Sequence, residues 1–194
     1  ADIEFKFPFG FKELEGIHSR TDFDLGAHEK YSGRKLQYFD PERNETYVPY
    51  VVETSIGLDR MFLALFSHCL KNEVLEDGSE RVVLALPPAL APVKAAILPL
   101  VKKDGLPELA EKIFNDLKYD FNIISEEKDS IGKRYRRQDA IGTPFCITVD
   151  HDSLADGTVT LRERDTMKQE RVKIEDLRKI IDDKVNFRTL LSKI

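Results

Sequence analysis

Within the run VVETSIGLDRMFLALF, residues 51–66, three side chains of different chemistry gather around one glycine. Glu53 supplies a carboxylate, Ser55 a hydroxyl and Arg60 a guanidinium, and Gly57 stands between them. The residues before Gly57 read as an extended apolar run and those after it as an amphipathic helix. On a strand, positions two apart share a face, so Glu53 and Ser55 can line one pocket. Gly57 lets the backbone come close to a ligand where strand turns into helix. The free N–H groups and positive dipole end of that helix favour an anion such as a carboxylate or a phosphate. Arg60 lies about one turn in, and a helical side chain leans back toward its own N-terminus. Its guanidinium therefore returns to the same place, suited to stacking on a planar base or pairing with phosphate.

The same residues admit two simpler explanations. A serine followed by x-Gly between strand and helix is part of the G-x-S-x-G nucleophile elbow, but Glu53 stands where the first glycine belongs and is too bulky for that strained turn. His18, His28, His68 and His151 have no surrounding pattern that would complete a triad. Alternatively, Glu53 and Arg60 form an ion pair that merely anchors the helix, since structural pairs gather charges as readily as functional sites do.

Positioning these groups requires a strand before Gly57 and a packed helix after it. Leu58, Met61, Phe62, Leu65, Phe66 and Cys69 recur at helical spacing, and the face they form is expected to be buried. Upstream, Ile3, Phe5 and Phe7 alternate as a strand that Pro8 and Gly10 break, Glu13–His18 is a second extended run, and Asp24–Ser32 is a short helix stopped by Gly33. Residues 36–39 and 45–52 read as the arms of a hairpin around Asp40-Pro41-Glu42-Arg43-Asn44. Residues 72–80 read as a loop and Pro87–Pro92 as an extended connection, which places a domain boundary at residue 90.

Beyond Pro92 strands and helices alternate. Val93–Leu98 is a strand because Pro99 would break a helix there. Pro107 opens a helix with Leu109, Ile113 and Leu117 on one face, Phe121–Ile124 is a strand, and Ser130 begins a helix that ends near Gly142. Pro144–Val149, Gly157–Arg162 and Lys168–Lys173 are strands, the last two a hairpin, and Glu175–Val185 is a closing helix. The order β-α-β-α-β-β-β-α predicts a mixed sheet with helices packed on it, and hence an α/β (α+β) chain of two domains, 1–90 and 91–194.

The 194 residues are 41% hydrophobic and 34% charged, a globular composition, and no apolar run approaches the roughly 18 residues of a membrane span. No signal peptide is evident, and the two cysteines are far apart with no metal-ligand spacing, so the expected location is cytoplasmic. The net charge of −5 is uneven: residues 1–80 carry 9 Lys and Arg against 16 Asp and Glu, whereas residues 81–194 carry 21 against 19. The cluster Lys133, Arg134, Arg136 and Arg137 in the second half is suited to phosphates or to a solvated helix face.

At this point the residues carry a family resemblance. Glu53-Thr54-Ser55-Ile56-Gly57-Leu58-Asp59-Arg60 resembles the third signature motif of class II aminoacyl-tRNA synthetases. FPFGFKELEGIHSRTDFDLGAHEKYSG, residues 7–33, resembles a segment of glycyl-tRNA synthetases of the homodimeric type, and SIGKRYRRQDAIGTPFCITVD, residues 130–150, resembles the anticodon-binding domain of class IIa enzymes. The resemblance implies the C-terminal portion of such an enzyme: part of an antiparallel-sheet catalytic domain over 1–90, then a mixed-sheet anticodon-binding domain over 91–194. It implies a ligase that activates glycine with ATP and Mg2+ and charges tRNA(Gly), working as a homodimer, with no membrane and no DNA partner.

Residue by residue, the resemblance implies that Arg60 and Gly57 meet ATP, and that Glu53 and Ser55 hold glycine. Glu13 would face the nucleotide and its magnesium, with Glu15 sharing that face if the strand is regular. Arg20 and Asp24 would brace the pocket. Arg134, Arg136, Arg137 and Gln138 are candidates for anticodon contact, while Tyr135 is expected in the core. No side chain is implied as a covalent catalyst. The first motif is not found, nor the second with its Phe-Arg-x-Glu arginine; Phe187-Arg188-Thr189-Leu190 is the nearest string and lacks the glutamate. The chain alone is therefore expected not to charge tRNA. The alternative is a non-catalytic accessory protein that kept a synthetase fold and binds nucleic acid.

Overall fold

The aromatic alternation of the first residues forms β1 (Asp2–Phe7), which pairs antiparallel with β2 (Gly10–Thr21). The structure, a computed structural model, describes residues 1–192. Gly10, at φ +107°, makes the tight reversal between the two strands. α1 (Phe23–Ser32) follows and ends at Gly33, whose φ of +69° lets its N–H reach the Glu29 carbonyl.

β3 (Tyr38–Asp40) and β4 (Glu45–Tyr47) form the expected hairpin, its turn closed by Asp40 Oδ1 accepting from the N–H groups of Glu42 and Arg43 at 2.9 and 3.2 Å. The second arm is shorter than the sequence suggested. Pro49 lacks a donor, the chain leaves the ladder over 48–50, and β5 (Val51–Ile56) pairs instead with β2. The sheet order is β1-β2-β5.

α2 (Leu58–Cys69) has the expected bounds, but its apolar face is not covered. Ala64 and Cys69 are buried, whereas Leu58 is 83% exposed, Phe62 65%, and Met61 and Phe66 are exposed as well. Periodicity announces a face that needs a partner; it does not place that partner within these residues.

The chain divides into two compact units at Ser67/His68, upstream of residue 90. The reason is a second correction: residues 72–80 are not one open loop but two strand ends joined by a turn over 75–79. β6 (Leu70–Val74) and β7 (Glu80–Leu84) form a hairpin whose turn has Gly78 at φ +77° and Asp77 accepting from the Ser79 N–H and hydroxyl. The Asp-Gly pair was the turn signal in the sequence. The hairpin belongs to the second unit because Val83 and Arg81 are buried there.

The rest of that unit follows the predicted alternation. β8 (Ala95–Pro99), α3 (Leu106–Leu117), β9 (Ile123–Ser125), α4 (Ile131–Ile141) and β10 (Phe145–Val149) are followed by a short unpredicted helix, α5 (His151–Asp156). Then come β11 (Thr158–Glu163), β12 (Gln169–Lys173), a 3-10 turn at Ile174–Asp176, α6 (Leu177–Val185) and α7 (Phe187–Leu191), the last also unpredicted. The sheet order is β12-β11-β10-β8-β9, with β8 parallel to both β9 and β10 and the other pairs antiparallel. One face buries Ile97, Ile147, Val159 and Leu161 against Leu106, Ile113, Leu117, Leu177 and Ile181. Ala96, Leu98 and Cys146 pack on Ile131 and Tyr135 of α4. Burial pushes the Cys146 thiol up to about 12, so it behaves as a small hydrophobe.

Helix α4 ends at Gly142, at φ +86°, where an added Cβ would lie 3.0 Å from the Leu84 carbonyl and 3.3 Å from its Cδ2. Gly142→Ala is expected to cost about 1–3 kcal/mol, because backbone strain and crowding act together. The check is a lower midpoint in urea with an unchanged slope.

Candidate functional site

The first unit gathers its polar groups through an irregularity in β2. Ile3 pairs with Glu15 and Glu4 with Glu13, so one step on β1 spans two on β2 and Leu14 is the extra residue of a bulge. A regular strand would have put Glu13 and Glu15 on one face; the bulge separates them. Register then assigns the faces. Asp2, Gly16 and Ser55 are cross-strand neighbours, as are His18 and Glu53, and Glu13 falls with them on the side of Glu4. Glu15 faces the other way, with Ile3 and Ile56. Glu13, Ser55 and Glu53 thus share one face around Gly16, and Glu15 is excluded from it.

Gly16 is the floor of this face and is buried although it carries no side chain. A Cβ built there would lie 2.7 Å from His18 Cε1, 3.2 Å from its Nδ1 and 3.8 Å from Glu13 Oε1. The imidazole of His18 therefore folds back across the glycine, and its Nε2 lies 3.4 Å from Asp2 Oδ1. Neither His18 nor Gly16 was singled out as a site residue in the sequence. The only available signal was a glycine inside an otherwise strong strand pattern, which marks a close approach.

Arg20 borders the same face. Its Nε and Nη2 donate to the two oxygens of Asp24 at 2.7 and 2.9 Å, and its Nε lies 3.5 Å from Glu53 Oε2. The hydrogen bond from Arg20 holds the Asp24 carboxyl below the usual carboxylate range, and the same pairing raises the Arg20 guanidinium. Glu53 is thus oriented by a cation that is itself fixed by a second carboxylate. Arg60 does not pair with Glu53; its Nη1 donates to the Glu13 carbonyl, which brings the start of α2 against β2. At Gly57 a Cβ would meet only the Arg60 side chain at ordinary contact, 3.8 Å, so the packing within the chain does not demand glycine there. The helix start lies open beside it, with exposed Leu58, Asp59 and Arg60 in its first turn.

In the second unit the basic residues of α4 separate into two groups. Arg134 and Gln138 are each only 2% exposed, which corrects their assignment to a nucleic-acid surface. Arg134 donates to the carbonyls of Pro99, Glu126 and Leu100, and Gln138 bridges Glu126 and Thr143. Arg137 is half-buried and held by Glu126 and Asp129. Arg136 remains half-exposed, and Lys133 exposed. Tyr135 is largely buried with its hydroxyl 2.6 Å from Thr148 Oγ1, as expected of a core residue.

Asp139, fully buried, was not anticipated from sequence. It accepts from Arg162 Nη1 and Nη2 at 2.8 and 3.0 Å and from Arg81 Nη1 at 3.1 Å. Arg81 also donates to the Arg164 carbonyl and Glu73, and Arg164 in turn donates to the carbonyls of Gly142 and Leu86. This ionic centre fastens the β6–β7 hairpin to α4 and β11.

Residues 94–184 match the family described as "Anticodon binding domain". The chain is 58% identical over 171 residues to glycine–tRNA ligase of Chlorobaculum tepidum, covering 88% of this chain and 36% of that protein. It is 54% identical over 178 residues to glycine–tRNA ligase of Borrelia hermsii, covering 91% and 40%. The chain is homologous to the C-terminal region of glycine–tRNA ligases. It spans about two fifths of the length of these relatives. In fold it resembles the RNA-binding domain of threonyl-tRNA synthetase from Cryptosporidium parvum, with a TM-score of 0.69 at 21% identity, covering 94% of this chain and 42% of that one. The fold class is therefore mixed α/β, antiparallel sheets first and then a five-stranded mixed sheet of the class II anticodon-domain type.

Among the described residues no helix is long and apolar enough to cross a membrane, and no group of three or more His, Cys, Asp or Glu is placed to hold a metal. A magnesium ion fits Glu13 only as a single-carboxylate site whose remaining ligands are substrate phosphates and water, an arrangement common for that ion.

Proposed function

We propose that this chain is part of a glycine–tRNA ligase, with the first unit contributing to the glycine and ATP site and the second unit containing the anticodon-binding domain. The observation that supports this best is the convergence of Glu13, Ser55 and Glu53 on one face around Gly16, beside an open helix start carrying Arg60. Glu53 and Ser55, a carboxylate and a hydroxyl two positions apart on one strand face, suit an ammonium group, and Glu13 on the same face suits a magnesium ion. An adjacent helix N-terminus and guanidinium suit adenine and phosphate.

In the proposed reaction the glycine carboxylate attacks the α-phosphate of ATP, giving glycyl-adenylate and releasing pyrophosphate. The terminal ribose hydroxyl of tRNA(Gly) then takes the glycyl group and releases AMP. Glu53 holds the ammonium, oriented by Arg20 and Asp24, and Ser55 donates nearby. Arg60 lies against the nucleotide. Glu13, together with the substrate phosphates, would hold magnesium, which would supply charge neutralisation there. These residues position and stabilise, and none forms a covalent intermediate. The whole ligase works as a cytoplasmic homodimer. The 194-residue chain alone carries too few phosphate ligands for activation, so purified chain is expected to show no glycine-dependent ATP–pyrophosphate exchange above background; measurable exchange would refute that.

The second unit reads single-stranded anticodon bases, with Arg136, Lys133 and the outer edge of Arg137 offering charge to the backbone. Filter binding of this chain to tRNA(Gly) at physiological salt is expected to be at least tenfold tighter than to the same tRNA with a swapped anticodon. Equal affinities would reduce the interaction to charge alone.

A further inference from the structure

We propose that the β3–β4 hairpin and the chain leading into and out of it form a platform for the single-stranded 3′ end of tRNA, with Tyr38, Tyr47 and Tyr50 stacking on bases and Arg34 and Lys35 meeting phosphates; this rests on the glycine and ATP site proposed above, to which that end must come for the second step. A polyanion has to enter a unit whose charge repels it. Residues 1–67 carry 8 Lys and Arg against 12 Asp and Glu. Yet KYSGRKLQYF, residues 30–39, holds three of those cations and no acid, and every residue in it is exposed. The carboxylate that precedes it, Glu29, is occupied by the Leu36 N–H at 3.2 Å and by Gln37 Nε2 at 2.9 Å, which ties the base of the hairpin to α1 and leaves the cations to solvent.

A merely solvated basic stretch has no use for aromatic rings, and this one interleaves them. β3 and β4 pair only with each other, and an isolated two-stranded hairpin is marginal in water, so this one gains from a partner. Tyr38 and Tyr47 stand directly opposite across the hairpin, their rings 6.0 Å apart, and both are exposed. Tyr50 follows, 73% exposed. Aromatic rings beside unmatched cations suit a single strand, since every unpaired base offers a π-face and the cations track its backbone. A duplex keeps its bases stacked inside, and a second copy of the segment would set like charge against like. The hairpin also gives the strand a direction. Its outermost pair is Asp40 with Glu45, two carboxylates that repel phosphate, whereas its other end runs into β5. Tyr47 and Tyr50 precede Glu53 by six and three residues, so the backbone holds them within about 22 and 11 Å of it.

The test compares the two steps in the ligase that contains this chain. Tyr38→Ala combined with Tyr47→Ala is expected to raise the KM for tRNA(Gly) in charging about tenfold or more, because two stacking rings are lost, and to leave glycine-dependent ATP–pyrophosphate exchange unchanged. Tyr38→Phe with Tyr47→Phe keeps both rings and should change neither. Arg34→Gln with Lys35→Gln alters only exposed side chains and should lower the log–log salt slope of tRNA binding by about 1.4, the share of two phosphate contacts on a single strand. An acceptor-stem duplex without its single-stranded end should bind the original ligase and the alanine variant alike. An unchanged KM for tRNA in the alanine variant overturns the proposal. An equal loss in exchange also overturns it, since the hairpin would then be packing on protein, and so does a weakened blunt duplex, which would move the contact to the stem. Glu53→Gln separates the two readings: if it leaves glycine activation intact, the amino-acid site assignment fails, whereas its loss beside an unmoved tRNA KM in the alanine variant removes only the platform.

Discussion

Asp139→Ala is expected to destabilise the second unit by about 3–5 kcal/mol, the range for removing one partner from a buried ion pair. Asp139 is 0% exposed and is the carboxylate shared by Arg162 and Arg81, which are themselves buried. The two arginines do not suffer equally. Arg81 keeps Glu73, at 2.6 Å, and the Arg164 carbonyl, whereas both hydrogen bonds that Arg162 donates to a carboxylate go to Asp139. The uncompensated charge therefore falls on Arg162, which is left with the Tyr135 ring, 4.7 Å from its guanidinium carbon. Since whole domains are stable by only about 5–15 kcal/mol, the loss would leave this unit marginal. Asp139→Asn keeps the shape and removes the charge; it should lose nearly as much if charge compensation is the cause and far less if packing is. Urea unfolding followed by circular dichroism distinguishes these outcomes, with Glu175→Ala, which removes only the exposed partner of Lys173 in the same unit, as a surface comparison expected near zero.

That ionic centre also explains how far the sequence could be read. From β8 to α6 most element types followed from local chemistry, because they were announced by nearby signals: Pro99 against a helix, Pro107 in a first turn, Gly142 at a left-handed cap; the β6–β7 hairpin, α5 and α7 were not. The unit boundary did not follow. It depends on Arg81 finding Asp139, 58 residues away, and a charged residue in a strand reads as surface until its partner is known. For the same reason Arg134 and Gln138 looked like a polar helix face and proved to be internal: Arg134 donates to carbonyls at the ends of β8 and β9, and Gln138 joins the Glu126 carboxylate to the Thr143 hydroxyl. In the first unit the strand that carries Glu53 and Ser55, and its turn at Gly57 into α2, were legible through alternation and the change to helical period. The choice between Glu13 and Glu15 was not, because a bulge is set by pairing with β1 and leaves no local mark at Leu14. The position of the His18 ring across Gly16 was not legible either, since periodicity does not report ring position.

Register and chemistry together make Glu53 the residue whose loss should cost the proposed reaction most. Glu53→Gln in the ligase that contains this chain is expected to lower kcat/KM for glycine in pyrophosphate exchange about 10²-fold, equivalent to about 2.7 kcal/mol and within the range for a hydrogen bond to a charged group. The substitution keeps volume and one acceptor oxygen and removes the charge that faces the ammonium. Arg20 loses its more distant partner at 3.5 Å but keeps both bonds to Asp24, so the border of the site stays in place. Glu53 is half-exposed in this chain, so stability should change little. The effect should fall on glycine and spare ATP, because the helix start and Arg60 are untouched. Arg60→Ala should do the reverse: it removes the planar cation beside Gly57 and its bond to the Glu13 carbonyl, and it should raise the KM for ATP more than that for glycine. If both variants raised the two KM values in parallel, Glu53 and Arg60 would be parts of one structural anchor, and the division of this face into an ammonium end and a nucleotide end would be wrong.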